Sequence, residues 1–189
     1  MKTPMNAATL SGPEVQRLNS AFAWACALLA VALPLAVLYQ LGTTPTDGLL
    51  RRAGVSLSAV QVAMLDVELW QRLLAVGLGV VPVFCASYGL VCAMRCFSGF
   101  SQGEYFSLRT VRYLRGFAAG IFASVVTGFF MAMAISVVLT LGAPVGQRAL
   151  AVGLGSNELI TLLFAGMVWQ IAAVMSRAVA LAEENAQFV

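Results

Sequence analysis

The chain contains no histidine. That removes the usual general base at neutral pH and the commonest haem and zinc ligand. Charge is scarce too: charged residues make up 10% of the 189 positions and hydrophobic ones 60%, far from the composition of a soluble domain. The few charges avoid the middle of the long apolar runs, where an ionisable side chain would mark a proton relay or an ion path. Cysteine occurs four times, at Cys26, Cys85, Cys92 and Cys96, with no CxxC pair. Without histidine, a thiolate metal or redox centre is the poorer reading of these residues; the better one takes cysteine as a small apolar residue suited to helix contacts. No serine lies in a nucleophile-elbow setting. The glycines of Gly153-Leu154-Gly155-Ser156-Asn157 have no lysine after them and no strand before them, so they do not read as a phosphate loop. These absences exclude the common catalytic constellations. The expectation is a protein that is not an enzyme and holds no cofactor or metal.

What the chain does have is four long apolar stretches, at residues 21–41, 73–94, 117–141 and 159–176. Each approaches or exceeds the ~20 residues that cross a bilayer as a helix. The pattern predicts an all-α integral membrane four-helix bundle forming one domain over residues 1–189. Outer loops then fall at 42–72 and 142–158, and an inner loop at 95–116. The first run is longer than the ~7–15 residues of a signal-peptide core, so it is expected to stay as a span. Pro34 and Pro82 lie inside the first and second spans and are expected to kink them.

The first outer loop opens with the turn residues Thr44-Pro45-Thr46-Asp47-Gly48. From Leu57 onward it reads as an amphipathic helix, with Val62, Leu65, Leu69 and Leu73 recurring at three and four. Such a helix would lie in the outer interface or run straight into the second span. Trp70 suits the headgroup belt, and Glu68 and Arg72 are spaced as an i, i+4 pair.

Four spans place both termini and the loop between spans two and three on one side. Lys2, Arg17, Arg95, Arg109, Arg112, Arg115 and Arg177 lie on that side, against Arg51, Arg52, Arg72 and Arg148 on the other. By the positive-inside rule both termini are cytoplasmic. The small net charge of +3 is not a nucleic-acid signature, because the basic residues flank the spans rather than line one soluble face.

Two features stand out for packing and contact. In the third span Gly116, Gly120, Ser124, Gly128, Ala132 and Ser136 recur at every fourth position. Small residues in such a stripe let helix backbones approach closely, where lipid supplies no hydrophobic force to do so. The stripe reads as a seam against another span of the same chain, with a homodimer interface as the alternative. Gln170, in the middle of the fourth span, reads as interhelical glue. In the inner loop, Ser107 is placed to cap the helix that becomes the third span. Arg109, Arg112 and Arg115 follow at intervals of three, broadly on one side. Phe106 is placed to anchor the turn at the interface, and Glu104 to pair with an arginine or to favour the helix N-terminus. Contact with membrane lipid phosphates is one reading of this set, and docking of a cytoplasmic protein partner is the sharper one.

Leu33-Pro34-Leu35 in span one, Gly103-Glu104-Tyr105-Phe106-Ser107 in the inner loop and Glu184-Asn185 near the C-terminus resemble a bacterial membrane family, the domain of unknown function 2975. The Gly-Glu-x-Phe-Ser element before a basic helix start is the most specific part; the other stretches are generic. The resemblance covers nearly the whole chain. It implies four spans, a multi-pass place in the bacterial inner membrane and no assigned activity. Family members encoded beside small helix-turn-helix regulators imply a small transcription regulator as the partner held at the inner face.

The expected function is therefore a non-catalytic inner-membrane protein that scaffolds or regulates a partner through its cytoplasmic loop and tail. The alternative is a small transporter or export component acting as an oligomer. The absence of buried charge argues against proton coupling, though not against movement of an apolar solute.

Overall fold

The structure is a computed structural model that describes residues 13–43, 68–102, 107–140 and 155–187. These residues form four helices: α1 (Pro13–Thr43), α2 (Leu69–Ser101), α3 (Leu108–Thr140) and α4 (Ser156–Gln187). There is no strand among them. At 1.5 Å per residue each helix is roughly 47–50 Å long, well over the ~30 Å of a bilayer's hydrocarbon core. Each holds a stretch long and apolar enough to cross a membrane: Glu14–Gln40, Leu69–Ser101, Leu108–Val138 and Ser156–Leu181. The helices therefore extend past the apolar runs that define the spans in the sequence.

Local chemistry sets the ends. Glu68 is extended (φ −66, ψ 152) and marks the start of α2. Its backbone N–H donates to Gln71 Oε1 at 3.0 Å, and its carboxylate accepts from the Trp70 indole N–H. A helix from Leu57 thus does not run unbroken into α2, and the rest of the expected amphipathic helix lies outside the described residues. At the far end of α2, the Gln102 N–H turns back to the Gly99 carbonyl at 3.1 Å. Ser107 opens α3: its Oγ accepts from the Arg109 N–H at 3.2 Å, and its carbonyl accepts from the Val111 N–H at 3.1 Å. Pro34 and Pro82 sit inside α1 and α2 without ending either.

Each helix packs on the next in the chain, α1 on α2, α2 on α3 and α3 on α4. No comparable packing joins α1 to α4 among the described residues. All three pairs are antiparallel, as their registers show. Phe22 stacks on Phe97 with ring centroids 5.6 Å apart. Along α2 and α3, Gly99 lies beside Thr110, Cys92 beside Gly116, Gly89 beside Gly120 and Pro82 beside Gly128. Arg115 meets Ser176, and Val111 shares a buried cluster with Ala172 and Val179.

Side-chain size is sorted in the reverse of a soluble core. Among the described residues most buried positions are small, Ala75, Cys92, Ala93, Cys96, Ala118, Ala165 and Ala172 among them, with Val80, Val111, Val179 and Gln71 the larger exceptions. The large apolar side chains face out, Trp24 75% exposed, Leu28 70% and Leu163 67%. In water such a surface would be far beyond the few hundred Å² of apolar patch a soluble monomer tolerates. In a bilayer the sorting follows directly. Lipid accepts the large side chains at no cost, and helices associate through close backbone contact that only small residues allow.

Candidate lipid or partner surface at the arginine end

The closest helix approach fixes how this end is built. An added Cβ at Gly120 would stand 2.6 Å from Gly89 Cα and 3.0 Å from the Cys85 carbonyl oxygen. Only a glycine at position 120 permits that crossing, while a Cβ at Gly89 would stand 3.2 Å from the Phe117 carbonyl oxygen, a tight contact. One turn earlier, a Cβ at Gly116 would meet Cys92 Sγ at 2.8 Å. At Gly128 the nearest atom is Pro82 Cβ at 3.7 Å, an ordinary contact. The ladder is thus tight at Gly116 and Gly120 and looser at Gly128, because two helices that cross at an angle are closest at one point. Ser124 is half-buried in the same stripe, and Ser136 is fully buried near its far end. Two hydroxyls of this span donate back within their own helix, Thr127 to the Ala123 carbonyl at 2.6 Å and Ser136 to the Met133 carbonyl at 2.7 Å, as helical hydroxyls commonly do.

The close crossing delivers the start of α3 against the end of α2. Arg109, Arg112 and Arg115 do not share one direction there. Each step of three residues falls back by about 60° around a helix of 3.6 residues per turn, so Arg109 and Arg115 diverge by about 120°. Since α2 and α4 both pack on α3, the divergence sends these side chains to different neighbours. Arg109 turns toward α2, where it lines a cleft with Arg95 and Tyr113. Arg115 turns toward α4, and its Nη2 donates to Ser176 Oγ at 2.9 Å. The Ser176 hydroxyl in turn donates a hydrogen bond to the Ala173 carbonyl at 2.8 Å. Arg109 and Arg112 are both exposed, Arg109 at the edge of the α2–α3 cleft, while Arg115 ties two helices together. Glu104 and Phe106 lie outside the described residues.

Arg95, Tyr113 and Ser176 belong to this constellation and do not stand out in the sequence. The Arg95 guanidinium carbon lies 5.7 Å from the centroid of the Tyr113 ring, a cation–π distance. The α2 counterpart of the α3 ladder is the face carrying Cys85, Gly89 and Cys92, which meets Gly116 and Gly120. Cys92 and Cys96 are buried and all four cysteines are free thiols; no group of three metal-ligating side chains occurs among the described residues. Gln170 is exposed on α4 rather than lying between helices of the chain.

No family model matches the chain, and no curated protein or solved structure does so either.

Proposed function

We propose that this is a multi-pass protein of the bacterial inner membrane, with both termini and the α2–α3 turn in the cytoplasm, and that it acts without catalysis by holding or regulating a cytoplasmic protein partner. One observation carries the reading. The antiparallel order gathers Arg17, Arg95, Arg109, Arg112, Arg115 and Arg177 at one end of the helices, while Arg72 is the one arginine at the opposite end among the described residues. Such an asymmetry orients membrane helices with the basic end inward. It also presents a concentrated positive face to anionic lipid and to any acidic partner surface. The sorting of large side chains outward supports the membrane setting. The resemblance to the domain of unknown function 2975 supports the bacterial inner membrane and a small transcription regulator as the partner.

The experiment is recovery of the full chain from its native membranes, compared with a variant carrying Arg112→Gln and Arg177→Gln. These two exposed arginines can be replaced without touching the Arg115–Ser176 bond or the α2–α3 cleft. The reading expects a stoichiometric protein partner with the unaltered chain and its loss from the variant, while insertion and thermal stability stay unchanged. A chain recovered without protein partner, which moves an apolar solute across liposomes as an oligomer, overturns it in favour of transport.

A further inference from the structure

Between the end of α2 and the start of α3 lies a cleft of about 450 Å³, lined by Met94, Arg95, Ser98, Gln102, Arg109 and Tyr113, with Gly99 and Thr110 at its floor. The two walls are brought together by small residues. Gly89 and Gly120 set the crossing, and Gly99 lets the Thr110 side chain approach so closely that an added Cβ would lie 3.0 Å from its Oγ1. The lining is polar. Among the described residues it holds two arginines, the Ser98, Thr110 and Tyr113 hydroxyls and the Gln102 amide, and no carboxylate. The first turn of α3, with Arg109 and Thr110, opens onto it, so the positive end of a helix dipole adds to the guanidinium charge.

On the other side of Met94 and Ser98, a second, more apolar groove of about 260 Å³ runs between α1 and α2 along Ala23, Trp24 and Ala27. The two share Met94 and Ser98, so a polar cleft and an apolar groove adjoin at the end of the helices.

We infer that the α2–α3 cleft is a binding site for a phosphate monoester, held by Arg95 and Arg109 with hydroxyl support from Tyr113 and Ser98. A monoester carries a charge near −1.5 to −2 at neutral pH and three acceptor oxygens. Two guanidiniums offer matching charge and forked donors, a geometry suited to phosphate. The adjoining apolar groove fits an amphiphile that carries this group on an acyl tail, such as phosphatidic acid; free phosphate presents the same head without the tail. The inference stands apart from the proposed orientation and partner, since it concerns one cleft in the purified chain.

The test uses the full chain in nanodiscs of phosphatidylcholine alone, of phosphatidylcholine with phosphatidic acid, or with the diester phosphatidylglycerol, and in detergent with or without inorganic phosphate. Modification of each arginine by a dicarbonyl reagent is read by peptide mass spectrometry. Phosphatidic acid should slow modification of Arg95 and Arg109 but not of Arg112, and more than phosphatidylglycerol does. Protection by inorganic phosphate to the same degree assigns the site to a soluble phosphate ester. Equal protection by phosphatidylglycerol, equal protection of Arg112, or no protection by any phosphate overturns the proposal. Because the reading uses the unaltered protein, it does not depend on a variant folding. Arg95→Gln and Arg109→Gln should each weaken retention of phosphatidic acid by about tenfold or more, the size of one charge-assisted hydrogen bond, with Arg112→Gln unchanged. Loss of the same size in Arg112→Gln would mean surface attraction and not a site.

Discussion

Replacing Gly120 by alanine adds one carbon, and the structure shows what that carbon meets. Its nearest atoms are Gly89 Cα at 2.6 Å, Gly89 N at 2.7 Å and the Cys85 carbonyl oxygen at 3.0 Å. All three are backbone, so no rotamer change makes room. Carbon–carbon contacts prefer about 3.5–4.0 Å, which means that α2 and α3 must separate by about 1 Å at their crossing or bend there. Forced overpacking of this kind costs about 1–3 kcal/mol. Gly166 provides the matched control, since nothing lies within 4 Å of an added Cβ there. Both changes share the helix-propensity gain of alanine over glycine, about 1 kcal/mol, so the difference between them isolates the packing term. At about 2–4 °C per kcal/mol for a chain of this size, Gly120→Ala should melt roughly 2–12 °C below Gly166→Ala. The full chain in mild detergent, followed by intrinsic fluorescence or circular dichroism, gives both melting points. Gly116→Ala should fall between them, because the Cys92 thiol in its way can rotate, and Gly128→Ala should behave like Gly166→Ala. Equal melting points for Gly120→Ala and Gly166→Ala would refute the close crossing and with it the account of how this protein packs.

Three further outcomes follow from the same contacts. Ser107→Ala removes the hydroxyl that accepts the Arg109 N–H and should cost about 1 kcal/mol, read as a lower melting point with unchanged helix content at low temperature. Ser176→Ala deprives the half-buried Arg115 of its acceptor on α4 and should cost about 1–3 kcal/mol; Ser156→Ala, at the exposed start of α4, serves as the reference, and equal losses would deny the bond any weight. A maleimide should leave the buried Cys92 and Cys96 unmodified in the folded chain and reach both on denaturation; early modification of Cys92 would contradict its packing against Gly116.

The helices were legible because the signals for them are one-dimensional. A run such as 117–141 needs only its length and its lack of charge to read as a helix able to cross a bilayer, and the recurrence of small residues from Gly116 to Ser136 needs only a count of four. What the sequence hides is where two such lines meet. Nothing along the chain says that Gly120 opposes Gly89, since that depends on the register and crossing angle of two helices. The arginines show the same limit. Arg109, Arg112 and Arg115 look like one basic face at a spacing of three, yet the 60° lag per step separates them once α2 and α4 take opposite flanks of α3. Arg95 appears in the sequence as a charge at the end of a span, and only the antiparallel return of α3 brings it to Arg109 and Tyr113. Gln170 reads as an interhelical contact from its central place in the run, but its direction around α4 turns it outward. The extended backbone at Glu68 breaks a helical periodicity that the apolar spacing from Val62 to Leu73 carries straight through, because its capping geometry competes with helix continuation.

The central claim is that the arginine end of the helices faces the cytoplasm. Single cysteines at the exposed positions Gln102 and Glu68, introduced into a chain whose four native cysteines are replaced by alanine, place one reporter at each end. Intact cells are treated with a membrane-impermeant maleimide before or after permeabilisation of the inner membrane. The account predicts that Glu68→Cys is labelled in intact cells, and that Gln102→Cys is labelled only once the membrane is opened. Labelling of Gln102→Cys in intact cells with protection of Glu68→Cys would invert the protein. Equal labelling of both from one side would contradict the membrane-spanning arrangement itself.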